Sequence, residues 1–153
     1  MYRNILVAFD ASEPSQIALT HAARLAKALG ASLRVAYVEV DPALYFPLMA
    51  AALPSIADVR DSVGAETLAV REAALDLLAR EGVAAEFATL PLIDSHTHIA
   101  DRLLSEATRM KADLVISGSH GRRGLARLTL GSEANRLLQH ASLPVLIVKS
   151  HAA

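Results

Sequence analysis

Short runs of consecutive apolar residues alternate with segments in which apolar residues recur every three or four positions. Continuous runs of this length are typical of strands buried on both faces, and the wider spacing is typical of helices with one buried face. The predicted strands are residues 5–9, 33–40, 83–90, 113–117 and 144–149. Because helical segments follow the strands, the pattern predicts one α/β domain over residues 1–153, with a parallel sheet and helices on both faces.

Start and stop signals bound the predicted helices. Ser12 is the expected N-cap of the first helix, Pro14 lies in its first turn and Gly30 ends it. The second helix is expected to end near Gly82, and the fourth to cover residues 132–140. The second helix is expected to carry four apolar residues on one side: Leu68, Leu75, Leu78 and Ala79. The third helix is indicated by apolar residues at helical spacing: Ile99, Leu103, Ala107 and Met110.

Composition narrows the class of protein. The chain has 153 residues, of which 53% are hydrophobic and only 4% aromatic, so its core has to be built from Ala, Leu, Val and Ile. A formal net charge of −1 gives no reason to expect binding to nucleic acid or to an anionic membrane. The absence of cysteine excludes disulfides, thiolate metal sites and cysteine nucleophiles.

Residues 41–64 are the one irregular stretch, too long and too apolar for a plain loop. Their most apolar part is about half the length needed to span a bilayer, and Pro47 and Pro54 interrupt it. Because the N terminus also lacks a signal-peptide pattern, we predict a cytoplasmic protein. The stretch either packs onto the domain or a partner subunit, or covers a ligand as a lid.

The candidate chemistry lies after the fourth predicted strand. Residues 118–121 begin and end with glycine, and after nine further residues Gly131 and Ser132 precede the last helix. A helix N-terminus presents unpaired backbone N–H groups and a partial positive charge, and therefore attracts anions. Glycine lets a backbone approach a ligand closely or adopt positive φ, and the Ser132 hydroxyl stands at the expected cap position. This arrangement predicts a phosphate-binding loop.

Two better-known phosphate loops do not fit this chain. It contains no Gly-Lys pair, which the Walker A loop requires. The dinucleotide fingerprint places its glycines after the first strand, where residues 10–14 contain none. There is also no G-x-S-x-G elbow and no second carboxylate beside Asp10. Binding without efficient turnover is therefore the simpler interpretation.

The spacing Gly118-x-x-Gly121, nine residues, Gly131-Ser132 resembles the ATP-binding motif of the universal stress protein family. The resemblance covers nearly the whole chain and includes residues 2–12, 112–118 and 138–148. It implies a Rossmann-like, five-stranded parallel sheet in the order 3-2-1-4-5. In that order the chain winds in opposite directions from the first and fourth strands, and ligands of open α/β sheets bind at such a reversal.

The resemblance implies ATP, ADP or AMP as the ligand, with Mg²⁺ as an accompanying ion. Ala8 would line the base pocket, and the backbone of Val38 would read the adenine edge. Asp10 would hold a ribose hydroxyl or a metal-bound water.

The resemblance also assigns the phosphate side of the site. Gly118 and Gly121 would line the ribose and the phosphates. Gly131, Ser132 and the backbone N–H of Glu133 would hold the phosphates themselves.

Two positions depart from the family pattern. Ser117 stands where a larger apolar residue is common, so that wall of the site is smaller and more polar. Glu133 stands where a small or apolar residue is common, and its carboxylate would repel a triphosphate unless the side chain points away. Such a charge at a helix terminus is worth about 0.3–1 kcal/mol. Arg122, Arg123 and Arg127 could offset it, and we expect one of them to touch phosphate.

His96 and His98 lie two positions apart, with Asp94 and Asp101 nearby. No third ligand of a metal site is evident in the sequence. We interpret the pair as solvent-exposed, titratable residues and predict no metal site there.

The sequence therefore predicts a stress-response protein that binds an adenine nucleotide and acts as a ligand-dependent regulatory or interaction module toward a protein partner. Nucleotide would order residues 122–130 and thereby change the surface that the partner meets. The apolar last strand would lie at a sheet edge, which favours pairing with a second copy in a homodimer. Two alternatives stay open: a slow Mg²⁺-dependent ATP hydrolase that uses Asp10, and an interaction subunit without nucleotide binding.

Overall fold

The computed structural model describes residues 1–41, 56–92, 94–121 and 130–149. The described strands are β1 (Asn4–Ala8), β2 (Ser32–Glu39), β3 (Glu86–Pro91), β4 (Leu114–Gly118) and β5 (Val145–Val148). The described helices are α1 (Glu13–Leu29), α2 (Ile56–Glu81), α3 (Ile99–Arg109) and α4 (Ser132–His140). Outside these residues lie Arg122, Arg123 and Arg127, one of which was predicted to touch phosphate, and most of the irregular stretch at residues 41–64.

The five strands form one parallel sheet in the order β3-β2-β1-β4-β5. The fold predicted from the sequence is confirmed, as is the edge position of β5. The start of the third strand was wrong: β3 begins at Glu86, three residues later than expected. The reason lies at the end of α2, where Gly82 adopts φ +63° and the Val83 N–H donates to the Leu78 carbonyl (3.1 Å). Val83 therefore belongs to the end of the helix, and the strand begins later than the apolar pattern predicted.

Alternate residues of the strands bury two aliphatic layers. Ile5, Val7 and Val35 pack against α1 and α2 on one face of the sheet. Leu6 and Ala36 pack against α3 and α4 on the other face. Because side chains alternate along a strand, both faces of each central strand are apolar, which explains the continuous apolar runs in the sequence.

The buried face of α2 differs from the predicted one. Val70, Ala74 and Leu78 are buried against α1 and the sheet, whereas Leu68 and Leu75 are 60% and 44% exposed. The prediction followed the bulkiest apolar residues: Leu78 is indeed buried, but the position one turn before it is taken by a small residue, Ala74. Residues 56–64 were also expected to be irregular, and they instead form the first turns of α2.

A charged cluster ties α3 to β2 at a buried position. Glu106 is only 2% exposed and accepts hydrogen bonds from Arg34 Nη1 (2.7 Å) and from Arg109 Nε and Nη2 (2.8 and 2.7 Å). Arg34 is also paired with Glu86 of β3. The hydrogen bonds from Arg109 and Arg34 hold the pKa of Glu106 below its usual range. The buried carboxylate is therefore ionised in the folded protein and fixes the position of α3 over the sheet.

Replacing Glu106 with glutamine should lower the free energy of unfolding by about 1.5–3 kcal/mol at neutral pH, because charge-assisted bonds are lost at a buried position. The lowered pKa means that this contribution is complete above the unfolded-state pKa and disappears as pH falls through the folded-state value. The difference between the parent and Glu106→Gln should therefore shrink below about pH 5. Urea unfolding between neutral pH and acid tests this, with exposed Glu72→Gln as control. An equal loss of stability in both variants would contradict the assignment.

Candidate functional site

A cavity of about 470 Å³ opens at the carboxyl ends of β1 and β4. These strands are neighbours at the centre of the sheet, and the strand order runs in opposite directions from them. The position is the topological switch point at which open α/β sheets bind ligands. The volume lies within the range of small-molecule sites.

The cavity wall brings together residues that are far apart in the sequence. Nine predicted site residues line it: Ala8, Asp10, Val38, Ser117, Gly118, Gly121, Gly131, Ser132 and Glu133. The tenth, Arg122, lies outside the described residues. The predicted residues therefore share one cavity, while their individual roles toward a ligand remain predictions.

Asp10 is oriented by the turn that joins β1 to α1. Its Oδ1 accepts hydrogen bonds from the Ser12 backbone N–H (3.0 Å) and from the Ser12 hydroxyl. Ala11, between them, adopts φ +64°, a left-handed conformation that is unfavourable for a residue with a Cβ. Ser12 is the N-cap of α1 as predicted, but its hydroxyl binds Asp10 instead of the helix. The strained turn thus fixes the carboxylate at the cavity wall.

The three motif glycines are needed for contacts within the protein. A Cβ on Gly118 would lie 2.8 Å from the Pro14 carbonyl carbon, and one on Gly121 would lie 2.9 Å from Asp10 Oδ2. A Cβ on Gly131 would lie 3.1 Å from the Ser119 oxygen. None of the three has positive φ; among the described glycines only Gly30 and Gly82 do. At these positions glycine therefore allows close contact with other protein atoms, while the predicted close approach to a ligand stays a prediction.

The N-terminus of α4 is open toward the cavity. Gly131 is the N-cap and no side chain caps the helix, so the prediction that Ser132 stands at the cap position is wrong. Ser132 is instead the first helical residue and is exposed. The Gly131 N–H is used by the Ser119 carbonyl (2.9 Å), which holds the start of the helix against the loop after β4. The first N–H groups of α4 have no side-chain acceptor among the described residues, as an anion site requires.

Glu133 extends sideways to the start of α3. Its Oε2 accepts a hydrogen bond from the Ala100 N–H (2.7 Å), and its Oε1 lies 3.5 Å from His98 Nδ1. Phosphate binding was expected to require that the Glu133 side chain point away from the ligand. This is met in part, because the carboxylate is held by another helix, although Glu133 still lines the cavity.

The backbone of Val38 faces the space beyond the end of β1. The last pairing residues are Ala8 and Ala36, and the Phe9 N–H donates to the Ala36 carbonyl (2.9 Å). Backbone groups alternate in direction along a strand, so Val38 points to the same side as Ala36. Glu39, in turn, points to β3, since its carbonyl accepts from the Leu92 N–H (2.9 Å). Val38 therefore directs one N–H and one C=O into the gap where β1 has ended.

Other cavity residues were not predicted as site residues. They are Phe9, Ser15, Ala36, Tyr37, Val40, Glu66, Ile99, Leu103, His120, Ala134 and Leu137. Most are apolar, and Ile99 and Leu103 were predicted only as residues that mark the third helix. Only one feature of the sequence could have identified them as cavity residues: they lie near the carboxyl ends of strands or the starts of helices. Apolar residues there can extend from the core into the wall of a ligand site.

His120 lies in the loop that follows β4 and lines the cavity. Its Nδ1 lies 3.1 Å from the hydroxyl of buried Ser119. Its Nε2 is shut off from solvent and has no hydrogen-bond partner among the described residues. The imidazole ring is therefore fixed in the cavity wall beside Gly131.

The turn at His96 and His98 is organised by a carboxylate. Asp94 Oδ1 accepts hydrogen bonds from the backbone N–H groups of His96 and Thr97 (both 2.8 Å). These bonds, the one from His96 first, hold the pKa of Asp94 below its usual range. Asp94 thus stabilises the turn that leads into α3. Across the described ranges, no three His, Cys, Asp or Glu residues are placed to share a metal ion.

No helix in the described part of the chain combines the length and the apolar character needed to cross a bilayer.

Comparison with known proteins places this geometry in a family. The family model "Universal stress protein family" matches residues 1–149. Universal stress protein YxiE of Bacillus subtilis is 31% identical over 97% of this chain and 100% of its own length.

Solved structures show the same fold. A universal stress protein in complex with cAMP has a TM-score of 0.72 at 24% identity, covering 98% of this chain and 99% of that one. The universal stress protein of Archaeoglobus fulgidus in complex with dAMP has a TM-score of 0.65 at 22% identity, covering 97% and 98%. Given the match of the family model to nearly every residue, the chain belongs to the universal stress protein family.

Alanine at Gly118 and alanine at Gly64 should change the stability of the protein in opposite directions, because only Gly118 is closely packed against other residues. Gly118→Ala forces a Cβ into the Pro14 backbone and should destabilise the protein by about 1–3 kcal/mol. Gly64→Ala has open space in α2 and should stabilise it by about 0.5–1 kcal/mol. Thermal and urea unfolding of both variants test this. A Gly118→Ala protein as stable as the parent would contradict the contact between β4 and α1.

Proposed function

We propose that the cavity binds an adenine nucleotide, with the phosphates at the N-terminus of α4 and the base near Val38. The observation that carries the proposal is the uncapped start of α4 in the wall of a cavity at the switch point of the sheet. Backbone N–H groups at a helix start attract anions without the help of a side chain. In this arrangement the N–H groups of Ser132 and Glu133 meet phosphate oxygens.

The base end of the site is supported by the backbone of Val38. Its N–H and C=O form a neighbouring donor and acceptor directed beyond the end of β1. An adenine edge offers a matching acceptor at N1 and a donor at N6. Ala8 and the apolar residues of α3 provide the flat, dry surface that a base needs.

Asp10 is proposed to hold a ribose hydroxyl, or a water on Mg²⁺ that accompanies the phosphates. Its Oδ1 is occupied by Ser12, and its Oδ2 lies against Gly121 at the cavity wall. Gly118 and Gly121 line the wall between Asp10 and α4, where the ribose and the first phosphate would lie. Arg122, the next residue along the chain, is proposed to reach a phosphate.

The nucleotide complexes of two proteins with this fold support the choice of ligand class. One holds cAMP and the other dAMP, and both are universal stress proteins. An adenine base on a sugar that carries one phosphate is the chemistry common to both. ATP, ADP and AMP are the ligands proposed for this chain.

We further propose that the protein works as a homodimer and as a nucleotide-dependent module that presents a surface to a partner protein in the cytoplasm. The support for the dimer is β5, which forms an edge of the sheet with Leu146 41% exposed. Pro144 and Val148 direct their carbonyls to β4, since these accept from Val115 N–H and Ser119 N–H. By alternation, Ile147 directs its N–H and C=O outward, where a second copy can pair.

Nucleotide binding should stabilise the protein. At a hundredfold excess over Kd, a ligand bound only by the native state contributes about 2.7 kcal/mol, which raises Tm by roughly 5 °C or more for a chain of this size. Differential scanning fluorimetry with ATP, ADP, AMP and cAMP tests this, and mass spectrometry identifies any nucleotide released on denaturation. A Tm unchanged by all four nucleotides, with none released, would overturn the proposal.

A side chain at the start of α4 should remove that stabilisation. Gly131→Val places methyl groups against the Ser119 oxygen and His120 and should weaken nucleotide binding about tenfold or more. Gly64→Val makes the same chemical change where nothing lies within 4 Å, and should leave Kd unchanged. Isothermal titration of both variants provides the comparison. Equal affinities would show that the backbone at the start of α4 does not hold the ligand.

A proline on the outer edge of β5 should prevent dimer formation. Ile147→Pro removes an outward N–H while sparing the hydrogen bonds to β4, and Ile147→Val keeps that N–H. Light scattering after size-exclusion chromatography should find the parent and Ile147→Val as dimers and Ile147→Pro as a monomer. A parent protein that elutes as a monomer at all concentrations would refute the dimer.

A further inference from the structure

Glu133 is held at two points at the rim of the cavity. Its Oε2 accepts from the Ala100 N–H at 2.7 Å, and its Oε1 lies 3.5 Å from His98 Nδ1. Its side chain is 36% exposed, so it is neither free in solvent nor sealed in the core. Residues on both sides of these contacts, Ile99 of α3 and Ser132 of α4, line the same cavity. The carboxylate therefore has a fixed place beside the start of α4.

The start of α3 offsets only part of this charge. A helix N-terminus carries about half of a positive elementary charge, whereas an ionised carboxylate carries a full negative one. His98 is half exposed, and a pairing at such a site is screened by water. A residual negative charge therefore stays in the wall where the phosphates are proposed to bind.

We propose that Glu133 determines specificity by the number of phosphates, favouring nucleotides with fewer negative charges. This inference rests on the proposed function, since it concerns the phosphate end of the same site. Each further phosphate adds about one negative charge, and the repulsion from a fixed carboxylate grows with that charge. AMP or a cyclic monophosphate is disfavoured least, and ATP without a metal ion is disfavoured most.

The comparison of three nucleotides on one variant tests the proposal. Glu133→Gln removes the charge and keeps a carbonyl oxygen for the Ala100 N–H. In the absence of divalent ions, it should improve the affinity for ATP by about two- to fivefold more than that for AMP, with ADP between them. Saturating Mg²⁺ neutralises the outer phosphates and should reduce this gain for ATP.

The chain offers a matched control in Asp101. This carboxylate of α3 accepts hydrogen bonds from Arg136 of α4 at 2.9–3.2 Å. It joins the same two helices and has nearly the same exposure, 37%, but it is not part of the cavity lining. Asp101→Asn therefore makes the same change in net charge at a contact between the same two helices, and should leave the ratio of the ATP and AMP affinities unchanged.

The outcomes separate the two proposals. A gain in affinity that rises from AMP to ADP to ATP in Glu133→Gln, and is absent in Asp101→Asn, supports the charge-selective role. An equal gain for all three nucleotides, or no gain, overturns that role while nucleotide binding stands. Failure of the parent protein to bind any of the three overturns the proposed function itself. Thermal unfolding of each variant shows whether it is folded before titration.

Discussion

Three close contacts, possible because glycine has no Cβ, hold the loops of the cavity together. Gly118 at the end of β4 lies against Pro14 in the first turn of α1, Gly121 lies against the Asp10 carboxylate, and Gly131 lies against Ser119 and His120. Each contact joins segments that are far apart in the sequence or separated by residues 122–129. A cavity at the end of a sheet needs loops that stay close without filling the space with side chains, and glycine is the residue that permits this. The position of α1 over β4 and the start of α4 both depend on these contacts.

The parallel sheet brings the starts of several helices to one end of the molecule. The backbone N–H groups at a helix start can attract an anion only where no side chain of the protein already accepts from them. At α1, the Ser12 N–H is taken by Asp10. At α3, the Ala100 N–H is taken by Glu133. The start of α4 has no side-chain acceptor among the described residues. Neighbouring carboxylates therefore occupy an N–H group at two of these helix starts and leave that of α4 open, and one of the carboxylates belongs to α4 itself.

Much of the fold follows from residues that the sequence displays directly. The apolar run at Ile5 to Val7 has to be buried on both faces, and Gly30 ends α1 with a left-handed residue as predicted. Gly118, Gly121 and Gly131, which their spacing singled out, all line one cavity, and their roles toward a ligand stay predictions. The inner face of α2 was mispredicted because the packing distance to α1, which favours Ala74 over Leu75, is a property of the tertiary structure. The direction of the Glu133 side chain also depends on the tertiary structure. Its partner Ala100 is 33 residues away and is brought near by the docking of α3 on α4.

The contacts that shape the cavity also contribute to stability, and this limits how the protein can change its ligand preference. Altering Gly118 or Asp10 disturbs the join between β1, β4 and α1, so such changes affect folding and binding together. Glu133 differs, because its carboxylate lies at a rim where glutamine keeps the hydrogen bond to α3 and removes only the charge. Electrostatic interactions act over distance and require no repacking. In the proposed site, a single rim carboxylate would therefore adjust the preference for ligand charge while the glycine contacts, and the fold that depends on them, stay as they are.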